Sequence, residues 1–267
     1  MNFKYDIVSN ERDGFYNLIT DKNNPIKVNI ENQILCSDVK LDLQKDYYIN
    51  DKIVELKITK KEIRSNMIKR RNKHPTKYFE EENNKIFNNL SKYFEEENNK
   101  ISTFFKKKKD LLFSIYLSKN LIFHIYLSKD KEVNTFKIID HLRKLKHTVL
   151  IPKIADQYKL TNYLFTDDLK LKKNKLGILE PINTNQYKIQ HIDYFIIPLL
   201  AFDNRGNRIG YGGGFYDNLV KEYPTAIRIG LSFEEAYPDT WLSNKQDMKL
   251  NYCITPNKVY NFGKIDI

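Results

Sequence analysis

Apolar positions along the chain fall into distinct rhythms, and each rhythm predicts an element. From residue 1 to 57, short apolar pieces (KVNI, ILC, YYI, IVELKI) alternate with Asn, Asp, Gly and Pro. That pattern predicts a few short strands, with a turn at Asn23-Asn24-Pro25. The segment carries no chemical motif and reads as a small β-rich appendage or a poorly ordered one. Over residues 58–72 the period becomes helical: Ile63, Met67 and Ile68 share one face, and Lys60, Lys61, Arg64, Lys69, Arg70 and Arg71 cover the rest. Ile122 to Leu127 form an apolar run of strand length. Val133, Phe136, Ile139, Leu142 and Leu145 then recur at helical spacing, and Thr148 to Ile151 form a second run closed by Pro152. Strand, helix and strand in that order predict a βαβ unit with parallel strands and a right-handed crossover. Further on, an apolar run from Ile196 to Ala201 precedes a glycine-rich stretch. Phe215 to Tyr223 predict a helix, Ala226 to Phe233 a strand, Ser243 to Leu250 a polar connection and Tyr252 to Thr255 a last short strand.

Two duplications interrupt this order. KYFEEENNKI occurs at 77–86 and again at 92–101, and LLFSIYLSKN at 111–120 is nearly repeated by LIFHIYLSKD at 121–130. Two copies do not make a solenoid, which needs at least three stacked units. A local insertion over about 77–120 accounts for them. The 77–101 block is charge-rich, which predicts a solvent-exposed helical excursion with little core contact. Lys106 to Lys109 read as a solvated charge run.

Composition narrows the class. A chain of 267 residues can bury a sizeable core as one large domain or one domain plus an extension. A net charge of +11 suits anionic ligands or nucleic acid, although lysine-rich surfaces are often only solvated faces. The two cysteines, Cys36 and Cys253, lack metal-ligand spacing and are expected as free thiols in a reducing compartment. No apolar run approaches a membrane span, and MNFKYDIVSNERDG lacks the basic start and apolar core of a signal peptide. A cytoplasmic enzyme, monomeric and without membrane contact, is the expectation.

The stretch with most chemistry is IIPLLAFDNRGNRIGYGGGFYD at 196–217. It reads as a buried strand, a glycine-rich loop and a helix start. Gly210, Gly212, Gly213 and Gly214 let a ligand approach the backbone without a Cβ in the way. Loop N–H groups and a helix N-terminus form a concave donor surface suited to anions. Arg205 and Arg208 add fork-shaped donors matched to phosphate. Asp217, in the first helical turn, could cap the helix or hold a cation. A tight connection that uses its glycines only for the turn is the alternative, and the loop matches neither Walker A nor the dinucleotide fingerprint.

The whole string AFDNRGNRIGYGGGFYD closely resembles the signature of the 5-formyltetrahydrofolate cyclo-ligases (methenyltetrahydrofolate synthetases), roughly D-x-x-G-x-R-L-G-x-G-x-G-[YF]-Y-D. The resemblance extends over about 58–258. It includes a first helix of the form K-x-x-L-R, matched by Lys60 and Arg64, and a turn E-V-x-T after YLS, matched at Glu132 to Thr135. It also includes G-I-x-E-P, matched by Gly177, Ile178, Glu180 and Pro181, and a late acidic position matched by Asp247. The family implies a three-layer α/β/α fold with a mostly parallel sheet, here with an N-terminal extension over 1–57 and a charged helical insertion within the 58–267 domain.

It also implies function. The resemblance points to ATP- and Mg-dependent cyclisation of 5-formyltetrahydrofolate to 5,10-methenyltetrahydrofolate. By that resemblance, Lys60, Arg64, Arg205, Arg208, Gly210, Tyr211, Gly212, Gly213 and Gly214 bind ATP. Lys129, Glu132, Asn134, Phe215 and Tyr216 line the reduced folate, with Lys129 and Asn134 standing where some members carry Met and Glu. Arg208 and Tyr216 act at the reacting centre, and Asp217 and Asp247 hold Mg. Glu132 also reads as a carboxylate favoured at a helix N-terminus. The competing expectation is a basic nucleic-acid-binding protein without catalytic activity, built on the basic helix, the lysine run and the many aromatic residues.

Overall fold

In the computed structural model the described residues are all but 1, 2, 9, 10, 12, 20–24, 32, 33, 38–40, 42–46, 51, 109–119, 157, 183, 184, 239, 240, 242–245 and 264–267. Most of the first LLFSIYLSKN copy and the turn at Asn23-Asn24 therefore lie outside them, as do the side chains of Cys36 and the 106–109 lysine run. Two compact units emerge: residues 1–68 with 238–245, and residues 69–237 with 246–267.

The first unit is β-rich. Strands β1 (Phe3–Val8), β2 (Gly14–Leu18), β3 (Ile26–Glu31), β4 (Ile34–Ser37), β5 (Tyr47–Ile49) and β6 (Lys52–Ile58) pair antiparallel in the order β2-β3-β4-β1-β6-β5. Just past β2, Ile19 pairs with Tyr48 of β5 through backbone bonds of 3.0 and 2.9 Å, returning the last strand to the first. Closure of this kind covers the edge amides that an open sheet would expose. Period-2 alternation puts Tyr5 and Ile7, Val28 and Ile30, and Tyr47 and Ile49 into one cluster with Leu18, Leu35, Leu41 and Val54. The buried Tyr5 hydroxyl accepts a 2.7 Å bond from the Leu41 amide. The helix predicted over 58–72 is α1 (Lys60–Lys73), and the division between units falls inside it.

The second unit is α/β. Its strands are β7 (Ile122–Ile125), β8 (Thr148–Asp156), β9 (Lys159–Leu164), β12 (Tyr194–Ile197), β15 (Ile227–Leu231), β16 (Tyr252–Ile254) and β17 (Val259–Asn261). They form one sheet in the order β17-β16-β15-β12-β7-β8-β9. The sheet is mixed: the five inner strands run parallel, and β9 and β17 close the edges antiparallel. Small hairpins β10 (Lys170–Lys173) with β11 (Leu179–Ile182), and β13 (Ala201–Phe202) with β14 (Arg208–Ile209), stand apart from it. The predicted βαβ unit is β7, α3 (Phe136–Lys144) and β8. Its second strand does not stop at Pro152. Beyond Leu150, β8 has no further register with β7 and pairs only with β9, so the missing proline N–H falls where no ladder bond is needed.

Alternation splits the core between the two faces of the sheet. Phe123, Ile125, Val149, Ile151, Ile196, Ile229 and Ile254 belong to a cluster completed by α2 (Thr76–Lys108) and by Ile138, Ile139 and Leu142 of α3. Phe195, Ile197, Leu150 and Cys253 belong to a second, completed by Leu219 and Val220 of α4 (Phe215–Lys221). Cys253 is a buried free thiol. Helix α2 corrects the expectation of an excursion with little core contact: Phe79, Ile86, Leu90 and Tyr93 are all buried in the larger cluster. Their spacing is i, i+7, i+11, i+14, a single helical stripe that the high charge of the repeat conceals.

Candidate active site

The signature divides into scaffold and loop. Between the apolar strand and the glycines the structure inserts the β13–β14 hairpin, which the expected strand–loop–helix order lacked. Asp203 holds its turn: fully buried, it accepts bonds from the amides of Arg205 and Asn207 (both 2.9 Å) and from the Asn207 side chain (2.7 Å). Gly206 sits at φ +77°, and a Cβ there would lie 2.9 Å from the Leu250 carbonyl oxygen. A side chain is excluded twice over, by conformation and by space. Arg205 is carried on this turn with its side chain exposed.

The loop proper runs from Gly210 to Gly214. Gly212 (φ 102°) and Gly214 (φ 65°) both take the left-handed conformation, and Gly214 is the N-cap of α4 with no side-chain cap bond. A Cβ on Gly213 would lie 2.6 Å from the Phe215 ring. The Phe215 ring therefore lies back along the loop and packs into the second core cluster.

Arg208 and Asp217, assigned separately to phosphate and metal, are bonded to each other. Arg208 Nη1 donates to Asp217 Oδ1 at 2.8 Å and to the Met248 carbonyl at 3.0 Å, and the Met248 amide donates to the same Oδ1 at 3.0 Å. The Arg208 side chain is 5% exposed and Asp217 23%. Burial of the guanidinium explains the pairing, because an unpaired charge there would be costly. Asp247, the other candidate metal carboxylate, directly precedes Met248 in the chain. Among the described residues no group of three or more His, Cys, Asp and Glu gathers. Magnesium held by one or two carboxylates, with phosphate and water completing its shell, fits such a donor pair.

On the other side of the loop lies the turn between β7 and α3. Thr135 Oγ1 donates to the Tyr126 carbonyl at 2.7 Å, and Tyr126 Oη donates to the Val133 carbonyl at 3.0 Å, which closes the turn on itself. Glu132 Oε2 accepts the Lys129 amide at 2.8 Å. Burial lifts the Glu132 carboxyl above its ordinary range, against the lowering effect of bonds from Tyr211 and Lys129. Lys129 Nζ reaches away to the Leu176 carbonyl at 2.9 Å. The Asn134 side chain accepts from the Phe136 amide at 2.9 Å, a helix-start contact. Tyr216 is half-buried, but its hydroxyl is sealed from solvent and has no hydrogen-bond partner; burial pushes its phenol far up.

One cation missed in the sequence joins these parts. Arg71 donates to the Tyr211 hydroxyl at 2.9 Å and to the Leu199 carbonyl at 3.2 Å. The Glu132 charge also acts on the Tyr211 phenol, so loop, helix end and turn influence one another there. Tyr211 keeps 46% of its surface exposed while its hydroxyl end is turned inward. The signal was available: Arg71 follows Arg64 by seven positions, two helical turns on the same face. Lys60 and Arg64 belong to the first compact unit and the loop to the second.

Comparison with known proteins identifies the family. The sequence model of the 5-formyltetrahydrofolate cyclo-ligase family matches residues 57–256, and the chain belongs to that family. It is 33% identical over 111 residues to the 5-formyltetrahydrofolate cyclo-ligase of Haemophilus influenzae, covering 39% of this chain and 59% of that relative. Against the Escherichia coli enzyme of the same name it is 29% identical over 145 residues, covering 50% and 76%. The solution structure of Aquifex aeolicus 5,10-methenyltetrahydrofolate synthetase shares the fold, with a TM-score of 0.52 and 20% identity over 78% of this chain and 95% of that one. No helix among the described residues is long and apolar enough to cross a membrane.

Proposed function

We propose that the protein is a 5-formyltetrahydrofolate cyclo-ligase, converting 5-formyltetrahydrofolate to 5,10-methenyltetrahydrofolate with ATP and Mg. The observation that carries the reading is the loop 210–214, whose left-handed glycines stand between the Arg208–Asp217 corner and the Glu132 turn. Helices on both faces of the mixed sheet support a three-layer arrangement, with the loop lying beyond the carboxyl end of β12, where open α/β sheets bind ligands.

In this reading the formyl oxygen takes the γ-phosphoryl group of ATP as the bond to ADP breaks and ADP leaves, so that N10 can attack the formyl carbon; Mg would neutralise the phosphate charge. The C–O bond breaks, phosphate leaves with that oxygen and the N10 proton is released. Such transfer asks the protein for position and charge stabilisation more than for a nucleophile. Arg205, Arg208 and the loop amides cradle the triphosphate. Asp217 and Asp247 hold the metal. Glu132 binds the pterin, with Lys129, Asn134, Phe215 and Tyr216 around it. The raised affinity of Glu132 for a proton suits a carboxyl that exchanges bonds with ring nitrogens.

The test is to mix pure protein with ATP, Mg and 5-formyltetrahydrofolate and to follow the near-ultraviolet absorbance of the methenyl product. ATP-dependent growth of that band is expected. Gly212→Val and Asp217→Asn should each abolish most of it; if both retain wild-type rates at saturating ATP and low Mg, the loop is only a turn.

A further inference from the structure

The buried polar groups beneath the loop include one with no assigned role, and it touches Tyr216. His124, the third residue of β7, is completely buried, and neither ring nitrogen has a hydrogen-bond partner. Its register partners on the neighbouring strands are Phe195 and Leu150, both apolar. The Phe195 ring lies 5.1 Å away, centre to centre. The Tyr216 ring meets it edge to face, with centres 5.9 Å apart and planes at 73°. The Tyr216 hydroxyl is also buried without a partner. Orphaned polar atoms are rare in folded interiors, and three of them on two touching rings call for an explanation.

The two groups are complementary. Burial holds the imidazole neutral, pushing its pKa down to about 3, and a neutral ring offers one acceptor nitrogen. The phenol offers one donor. A phenol hydroxyl on a ring this close can reach an imidazole nitrogen by side-chain rotation, with strand and helix unmoved.

We propose that His124 is a positioning residue: its imidazole accepts a hydrogen bond from Tyr216 and fixes that ring where α4 begins, between the glycine loop and Asp217. Here the charges of Glu132 and Arg208 both act on the tyrosine. This rests on the cyclo-ligase reading, in which Tyr216 lines the reacting centre. Strand β7 thereby sets the angle of a side chain in the first turn of α4 that no other described contact orients through its hydroxyl.

The test pairs kinetics with a spectroscopic readout. His124→Phe should stay folded with a melting temperature close to that of the wild type, because it exchanges one unpartnered ring nitrogen for one unpartnered phenol, and should lower kcat about tenfold. KM for ATP should stay within twofold. Tyr216→Phe should lose the same factor, and the double variant should lose no more than either alone. Independently, 15N NMR of histidine-labelled full-length protein with ADP and Mg should show a hydrogen-bonded acceptor nitrogen at His124 that reverts in Tyr216→Phe. Wild-type kcat in a folded His124→Phe overturns the proposal, and so does a His124 signal indifferent to Tyr216→Phe. If the wild type forms no methenyl product, the cyclo-ligase reading has failed, and the NMR result alone decides whether His124 orients Tyr216.

Discussion

Asp217 shows how one side chain can serve both fold and site. Its Oδ1 atom accepts from a buried guanidinium and from a backbone amide 31 positions away. Asp217→Asn therefore does more than remove a metal ligand: it leaves Arg208 as an uncompensated buried charge. Loss of a hydrogen bond to a charged group costs about 1.5–3 kcal/mol, and Asp217→Asn should lower the urea midpoint accordingly, even without Mg. An unchanged midpoint would show that the Met248 carbonyl alone satisfies Arg208. Sequence inspection singled out Arg208 and Asp217 but not the bond between them. In DNRGNRIGYGGGFYD, Asp203 and Gly206 build a hairpin turn, while Gly212 and Gly214 shape the loop. A motif records which residue types are required, and a glycine required by a turn looks like one required by a phosphate. Arg71 and His124 escaped notice for the opposite reason. Each lies outside the signature, one among many lysines and arginines, the other inside an apolar strand.

At the level of elements, α2 is the instructive case. The second KYFEEENNKI copy begins 15 positions after the first (92 − 77), a little over four turns at about 3.6 residues each. Duplication by nearly whole turns extends an apolar stripe where an arbitrary length would break it. Phe79, Ile86, Leu90 and Tyr93 fall on that stripe and pack against the sheet. Charge density misled because it reports the outward face, while burial is decided by four positions in fifteen. Truncating Leu90, 2% exposed, to alanine should cost about 2–5 kcal/mol. Glu96→Ala, whose carboxylate is 56% exposed, should cost under about 0.5 kcal/mol. Equal midpoints for the two variants in chemical denaturation would return α2 to the status of a surface excursion. By contrast, the βαβ unit was legible because its strand runs and helical period are local. The closed sheet of the first unit was not, since pairing Ile19 with Tyr48 is a long-range choice that alternation within either strand cannot encode.

For the molecule as a whole, charge is the property that composition states most directly. The chain carries a formal net charge of +11. Both proposed substrates, a nucleoside triphosphate and a folate with its glutamate tail, are anions. A field of that sign raises their local concentration and speeds encounter, and salt removes the advantage. The local structure limits how far this extends. Arg208 is already neutralised by Asp217 in a largely buried pair that bulk ions screen little, whereas the exposed Arg70–Glu234 and Arg143–Asp167 pairs weaken with salt. What salt screens is the long-range field of the many exposed lysines. Raising ionic strength from about 0.01 to about 0.1 M shortens the Debye length from about 30 to about 10 Å. Over that interval KM for 5-formyltetrahydrofolate and for ATP should rise several-fold while kcat holds constant. A neutral substitute for NaCl, such as sucrose at equal osmolality, should have no such effect. The kinetic split matters: a fall in kcat with constant KM would place the salt-sensitive step at the buried Arg208–Asp217 corner, and would mean that surface charge plays no part in bringing substrate to the loop.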